Sequence, residues 1–228
     1  MSWSGKLLSS GTNAKTVKGD GSEYITAIMY LTPWKSEGVN VCPNAVLAGC
    51  VEGCLYTAGR GAMSNVQQAR QRKTQWYAKD RAGFIAQLNT DIESFKKYCN
   101  KKGAKPVVRL NGTSDIQWET VAPSLFYRHP DVQFYDYTKI SNRRNLPSNY
   151  HLTWSYSEAS DKYVSMMPPH LNVAVVFRDK NLPDTFLGRK VVNGDADDLR
   201  FLDPDNVVVG LYAKGKAKQD TSGFVVNT

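Results

Sequence analysis

Three cysteines lie close together in the first quarter of the chain, and their chemistry and spacing could build one metal site. Cys42, Cys50 and Cys54 form the pattern C-x7-C-x3-C just after an apolar run. Thiolates are soft ligands that bind zinc, copper(I) and iron–sulfur clusters, and a short loop brings three of them together at a small entropic cost. The sequence therefore predicts a metal or cluster site on a loop that follows a strand.

The spacing favours an iron–sulfur cluster, with zinc or metal-free thiols as the alternatives. Structural zinc sites usually contain paired C-x2-C knuckles, which this loop lacks. Three thiolates on a [4Fe–4S] cluster leave one iron free for another ligand, which suits catalysis better than structure. The fourth cysteine, Cys99, ends a predicted helix and is expected to be half-buried without a metal role.

The chain is basic, which makes a nucleic acid or nucleotide a candidate partner. It carries 29 Lys and Arg against 21 Asp and Glu, a formal net charge of +8. Clustered cations would bind phosphates, but these are scattered and no recognised nucleic-acid-binding module accompanies them. We interpret Arg70, Lys73 and Arg81 as one solvated face of a helix. The acidic cluster of Asp195, Asp197 and Asp198, with Asp203 and Asp205, is interpreted as a solvated turn with a helix cap rather than as a magnesium site.

Nothing in the sequence indicates a membrane partner. No apolar stretch approaches the ~20 residues that a membrane span requires. The N-terminus also lacks the apolar core of a signal peptide. We therefore expect a cytoplasmic protein whose cysteines stay reduced and available as ligands, so a structural disulfide is the weaker explanation of the loop.

The chain divides into a short lead-in and one domain. Residues 1–22 are rich in glycine and serine and predict a loose, turn-rich segment rather than a packed element. Residues 23–228 predict a single α/β domain with the cysteine loop at 42–54. Ser64 is the expected N-cap of a long helical stretch that bends near 80–83 and ends by Gly103.

Seven short apolar runs predict strands. Helical or mixed connections separate most of them, which favours a mostly parallel sheet built from βα units. The runs are residues 24–31, 106–110, 132–137, 151–156, 172–177, 190–192 and 207–212.

Polar residues follow these runs, and in parallel βα folds the carboxyl ends of the strands converge on the ligand site. The alternative is that loops are polar everywhere. Because the cysteine loop would lie on the same rim, we favour a functional interpretation. The rim candidates are Asn111, Thr113, Ser114, Asp115, Lys139, Ser157, Glu158, Arg178 and Lys214.

Several segments resemble the phage gene-product-88 family over about residues 24–218. They include N-V-C-P-N-A, G-C-V-E-G-C-L-Y-T-A-G-R-G, V-R-L-N-G-T-S-D-I-Q-W-E, F-Y-D-Y-T-K and V-V-V-G-L-Y-A-K-G-K-A. The resemblance implies a phage-encoded protein, which would act in the host cytoplasm.

The layout of the chain also resembles, more loosely, the radical S-adenosylmethionine enzymes. In these enzymes a cysteine loop after the first strand of a partial or complete (β/α) barrel holds a [4Fe–4S] cluster. The unique iron chelates S-adenosylmethionine, and electron transfer cleaves the sulfonium to a 5′-deoxyadenosyl radical. Their usual spacing is C-x3-C-x2-C, from which this chain departs in both gaps.

That resemblance implies a role for each candidate site residue. Cys42, Cys50 and Cys54 would ligate the cluster, and Tyr56 would pack over the cofactor. The rest would contact S-adenosylmethionine or an anionic substrate: Asn111, Thr113 and Asp115 near the methionine amino group, Arg109 at a carboxylate, Glu158 at a ribose hydroxyl, and Lys139 and Lys214 at an anionic group. Asp115 as a helix cap and Arg109 as an ion-pair partner of a neighbouring acid stay open as alternatives.

The sequence thus predicts a radical S-adenosylmethionine-like iron–sulfur enzyme acting on a nucleotide, nucleic acid or peptide. No G-x-S-x-G elbow, phosphate-binding loop or H-E-x-x-H helix offers a competing chemistry. The alternatives are a zinc protein that binds nucleic acid without catalysis and a host-interaction protein whose cysteines only stabilise a loop.

Overall fold

Residues 5–11, 16, 23–168 and 170–227 are described by a computed structural model, and in this part the chain forms twelve strands and four α-helices. The strands are β1 (Leu8–Ser10), β2 (Tyr24–Met29), β3 (Lys35–Ser36), β4 (Val39–Asn40), β5 (Lys105–Arg109), β6 (Gln133–Thr138), β7 (Tyr150–Ser155), β8 (Val173–Phe177), β9 (Thr185–Phe186), β10 (Arg189–Asn193), β11 (Val208–Tyr212) and β12 (Val225–Val226). The helices are α1 (Ser64–Lys79), α2 (Arg81–Lys102), α3 (Trp118–Val121) and α4 (Ser124–Arg128).

Ten of these strands form one mostly parallel sheet. Its order is β1-β2-β5-β6-β7-β8-β11-β10-β9, and β12 pairs with the end of β8. Only β1 and β9, at the two ends of this order, pair antiparallel. All seven apolar runs became strands of this sheet, so the prediction of an α/β fold with a mostly parallel sheet is confirmed.

The long helical stretch is confirmed together with its break. Asp80 separates α1 from α2 and caps the second helix, because its Oδ1 accepts a hydrogen bond from the amide of Gly83 at 2.9 Å. Gly103 ends α2 with a φ of 69°, which glycine adopts without steric cost. The predicted N-cap at Ser64 is wrong by one residue, since Met63 takes that position and makes no side-chain cap.

The lead-in contains a packed element that the sequence did not predict. Leu7 and Leu8 are buried, and Leu8–Ser10 pairs with β2. Asp91 on α2 accepts a hydrogen bond from the amide of Leu8 at 3.3 Å and so holds this strand to the helix. Residues 1–4, 12–15 and 17–22 of the predicted lead-in lie outside the described residues.

The predicted solvated helix face is wrong at two of its three positions, and it is divided between α1 and α2. Arg70 and Lys73 are 8% and 7% exposed, whereas Arg81 is exposed and lies over the ring of Tyr77 at 4.7 Å. The Lys73 ammonium donates to the carbonyl of Leu7 at 2.8 Å. Long basic side chains can bury their stems when a polar partner receives the head group, and that partner comes from a distant segment here.

Candidate functional site

The cysteine loop lies over the carboxyl ends of β2, β5 and β6. Three hydrogen bonds hold it there: the Asp115 amide donates to the carbonyl of Val41 at 2.7 Å, the Asn44 side chain to the carbonyl of Lys139 at 2.9 Å, and Ser222 to the carbonyl of Gly49 at 2.6 Å. The loop is therefore attached to the ends of two central strands and to the segment before β12.

The loop does not follow β2 directly, as the sequence suggested. The short hairpin of β3 and β4 intervenes. Its turn is made by Glu37 and Gly38, with φ values of 53° and 78°. A two-residue strand carries too few side chains to show an alternating pattern, so periodicity could not predict this hairpin.

The three loop cysteines are partly buried thiols that interact electrostatically with one another. None of them forms a disulfide. The pKa of Cys42 is raised to about 12, mainly by burial and in smaller part by the neighbouring Asp115, Cys54 and Cys50. Burial also raises the pKa of Cys50, against the opposing charge of Lys139, and the pKa of Cys54, against a hydrogen bond from the backbone at Tyr56. Within the described residues, no three Cys, His, Asp or Glu side chains are arranged around a single ion.

Lys139 brings a positive charge beneath the loop, next to Cys50. Its ammonium donates to the Ser155 carbonyl at 3.1 Å and to the Ser155 hydroxyl at 3.0 Å, and it lies 4.9 Å from the ring centroid of Phe224. Burial lowers the pKa of Lys139, while Cys50 and Asp115 act in the opposite direction. Lys139 and Lys214 are the predicted anion-binding lysines, and Lys139 is the one that lies at the cysteine loop.

Asp115 also lies beneath the loop, and it does not cap a helix. Its Oδ2 accepts from the Lys139 amide at 2.8 Å, and its Oδ1 lies 3.8 Å from the Arg143 guanidinium. The helix-cap alternative is wrong, because Gln117 precedes α3. Burial is the main cause that raises the pKa of Asp115.

The polar atoms of Asn111 are used inside its own loop. Its side-chain oxygen accepts from the Ser114 hydroxyl at 2.8 Å, the Ile116 amide at 3.0 Å and the Trp118 indole at 3.2 Å. Its amide nitrogen donates to the Ile116 carbonyl at 3.0 Å and to Asp136 at 3.1 Å. Asn111 is therefore the residue that fixes the shape of the loop after β5.

Thr113 joins that loop to the cysteines. Its carbonyl accepts a long hydrogen bond from the thiol of Cys42, with a sulfur–oxygen distance of 3.8 Å. Its hydroxyl donates to the carbonyl of Leu31. Gly112, beside it, has no room for a side chain, since a Cβ there would lie 2.6 Å from the carbonyl of Met29. The loop after β5 is thus packed tightly against the end of β2.

Three predicted contacts have other partners or face solvent. Arg109 forms an ion pair with Asp198 at 3.1 Å and stacks on Tyr137, so its ion-pair alternative is the arrangement found. Lys214 pairs with Asp195 at 2.5 Å. The side chain of Glu158 is exposed. The interpretation of Asp195 and Asp198 as part of a solvated turn is wrong, because Asp195 pairs with Lys214 just after β11 and Asp198 pairs with Arg109 on β5.

Sequence reasoning missed Arg70, which lies beside the predicted site. Its guanidinium carbon is 4.6 Å from the ring centroid of Tyr30 and 5.5 Å from that of Tyr56. Its charge lowers the pKa of Cys54, in opposition to burial. Two of the loop cysteines therefore have a cation nearby, Lys139 at Cys50 and Arg70 at Cys54.

Asp136 on β6 is 0% exposed. Its titration is expected to make the stability of the protein depend on pH. Burial raises the pKa of this carboxyl to about 7, although Tyr150 and Asn111 donate hydrogen bonds to it. Because the folded pKa lies above the unfolded one, its contribution to stability is complete below about pH 4 and declines as pH rises through 7.

We therefore expect the free energy of unfolding of the wild type to fall, relative to Asp136→Asn, by a few kcal/mol as pH rises from 5 to 8. Urea unfolding followed by circular dichroism at several pH values measures this difference. Parallel pH profiles for the two proteins would show that Asp136 does not titrate in this range.

Comparisons with known proteins identify the family. Of the helices in the described part of the chain, none has both the length and the apolar character that crossing a membrane requires. No curated protein and no solved structure matches the chain. The family model described as gene product 88 matches residues 6–228. The chain therefore belongs to the gene product 88 family of phage proteins.

Proposed function

We propose that this protein is an iron–sulfur enzyme of the radical S-adenosylmethionine-like type. Cys42, Cys50 and Cys54 would hold a [4Fe–4S] cluster. The observation that carries the proposal is that three thiols, close enough to affect one another's pKa, lie over the carboxyl ends of parallel strands. This is the edge at which βα folds bind their ligands.

The donor set and its charges fit a cluster. Thiolates ligate iron–sulfur clusters, and three of them add negative charge that a buried site must balance. Lys139 beside Cys50 and Arg70 beside Cys54 supply nearby positive charge. A single zinc ion would draw three sulfurs to about 2.3 Å from one point, whereas a cluster spans more space.

The sheet supports the finer proposal of a partial barrel. Strands β2, β5, β6, β7, β8 and β11 lie side by side in chain order and run parallel. Phe201, which follows β10 near one end of the sheet, lies 5.3 Å from the ring of Tyr24 on β2, near the other end. Asp198 likewise accepts from Tyr135 on β6 at 2.6 Å. In a partial barrel the sheet would curve around this segment, and these contacts support that proposal.

The residues around the loop would then have separate roles in binding the cluster and in shaping its site. The cluster, when bound, would supply an electron for reductive cleavage of S-adenosylmethionine. Lys139 and Arg70 would favour the thiolate form of the ligands, which must lose their protons to bind metal. Asn111 and Thr113 would hold the loop after β5 against the cysteines and keep the site in shape.

Cleavage of S-adenosylmethionine tests this proposal. We expect anaerobically purified protein, reduced with dithionite, to convert S-adenosylmethionine to 5′-deoxyadenosine, detected by liquid chromatography and mass spectrometry. Cys50→Ser should form none, and Cys99→Ala should match the wild type because Cys99 lies in the core on α2. A protein that holds iron and sulfide but forms no product would limit the proposal to a non-catalytic cluster protein.

A second candidate function is binding to a host factor without catalysis. Four large apolar side chains on or just after the cysteine loop are exposed, namely Val46, Leu47, Leu55 and Met63. Exposed apolar side chains mark an interaction surface where they form a contiguous patch, and these four are close in the sequence. In this alternative zinc or the free thiols only stabilise the loop. The activity of the protein in infected cells would then survive Cys50→Ser, whereas the enzyme proposal expects this activity to be lost.

A further inference from the structure

Arg70 is a buried cation that contacts two aromatic rings. It projects from α1 and is 8% exposed. The rings of Tyr30 and Tyr56 lie within 4.6 and 5.5 Å of its guanidinium carbon. Such cation–π contacts stabilise the charged guanidinium. The N–H groups lie along the edge of the guanidinium and need hydrogen-bond partners of their own.

That edge is not satisfied by the residues that the structure describes. Within this part of the chain, Nε and Nη1 of Arg70 are buried and have no hydrogen-bond partner. The groups whose charge acts on the guanidinium are Tyr30, Tyr56 and Cys54, and no carboxylate is among them. Burying a charged group without hydrogen bonds is costly, and most buried arginines are paired.

This arrangement differs from the other buried arginines. Arg109 pairs with Asp198, and Arg143 pairs with Glu119. Arg200 contacts Asp197 and Asp203. Among the residues that the structure describes, no carboxylate pairs with Arg70, although it lies beside the cysteine loop, where a ligand would bind.

We infer that Arg70, which contacts Tyr30 and Tyr56 beside Cys54, binds the anionic group of a small molecule at the cysteine loop. The group is a carboxylate or a phosphate, since both present oxygens that a guanidinium edge contacts in pairs. The inference goes beyond the proposed function, because it depends on the arginine and not on which metal or cluster the cysteines bind.

Gly61 provides a way to test the site without removing its charge. A Cβ at this position would lie 3.3 Å from Nη1 of Arg70 and 3.0 Å from the carbonyl of Tyr56. Both distances are tight, so an added methyl group would crowd that nitrogen. Gly61 has no positive φ, and Gly61→Ala therefore changes space rather than backbone strain.

The experiment is a thermal-unfolding titration of the full-length protein with sodium phosphate and, separately, sodium acetate, with sodium chloride holding ionic strength constant. A ligand that binds only the folded state raises the unfolding temperature saturably. We expect this rise in the wild type with at least one anion. A response to acetate indicates a carboxylate ligand, and a response to phosphate alone indicates a phosphate.

Arg70→Met should weaken the apparent affinity at least tenfold and Gly61→Ala should weaken it less. Arg72→Met is the matched control, because it removes the same charge from an exposed position on the same helix and should respond as the wild type does. Without anion, Arg70→Met should unfold at the wild-type temperature or above, since it removes an uncompensated charge. If Arg70→Met does not fold, Arg70→Lys replaces it in the experiment. Lysine keeps the positive charge but lacks the paired N–H donors of the guanidinium. Equal anion responses in wild type and in the Arg70 variant would overturn the inference, as would no response in the wild type.

Discussion

Replacing Cys42, Cys50 or Cys54 with serine is expected to abolish cluster binding in each case. A serine hydroxyl is a hard, weakly acidic ligand, and each thiolate supplies one of only three protein bonds to the cluster. The expected loss is the whole of the brown absorbance and more than nine-tenths of the bound iron. Visible absorbance and iron content per chain, compared after identical anaerobic purification, measure the effect.

Cys99→Ala is the matched control for these variants. Cys99 is 0% exposed in the core on α2, so its replacement should cost about 1 kcal/mol of stability through a small cavity and leave iron binding unchanged. Iron retained in a Cys50→Ser protein, or lost in Cys99→Ala while that protein stays folded, would contradict the assignment of the ligands.

Asn111→Ala is expected to lower the free energy of unfolding by roughly 3–5 kcal/mol, the largest effect on stability among the variants proposed. It removes five hydrogen bonds in a buried loop. The Ile116 amide, the Trp118 indole and Asp136 would each lose a partner. An unsatisfied buried group costs about 1–3 kcal/mol. Chemical denaturation monitored by circular dichroism measures the change.

Asn100→Ala serves as its control, since Asn100 is exposed on α2 and the change should stay within about 0.5 kcal/mol. The same comparison separates a structural role of Asn111 from the cofactor contact that the family resemblance implies. An Asn111→Ala protein of near wild-type stability that fails only in ligand binding would contradict the structural role.

Much of the sheet could be predicted because its strands are short apolar runs closed by polar turns. Val173–Phe177 and Val208–Tyr212 show this pattern plainly. Strand β1 could not be predicted in the same way. Three residues show no periodicity, and the strand exists because Leu8–Ser10 pairs with β2 and is held by Asp91.

The candidate site could be predicted only where position along a strand determines it. Lys139 and Asp115 follow β6 and β5, and the parallel sheet brings both beneath the cysteine loop. The sequence predicts a solvated Arg70, because charged side chains on helices usually face water. Its burial depends on the rings of Tyr30 and Tyr56, which only the folded chain brings to it.

Arg109 and Asp198 illustrate the same limit. The sequence predicts Asp198 as part of a solvated turn, and for Arg109 it leaves open a ligand contact and an ion pair with a neighbouring acid. Their 3.1 Å ion pair joins β5 to the segment after β10, and Tyr135 also donates to this aspartate. Pairs between distant segments are set by the topology of the sheet, which a single sequence does not specify.

Metal analysis of the protein purified without oxygen tests the central claim most directly. We expect about four irons and four sulfides per chain, little zinc, and a broad visible absorbance that dithionite bleaches. One zinc per chain with no colour would contradict the cluster proposal. In that case the non-catalytic alternatives would take its place.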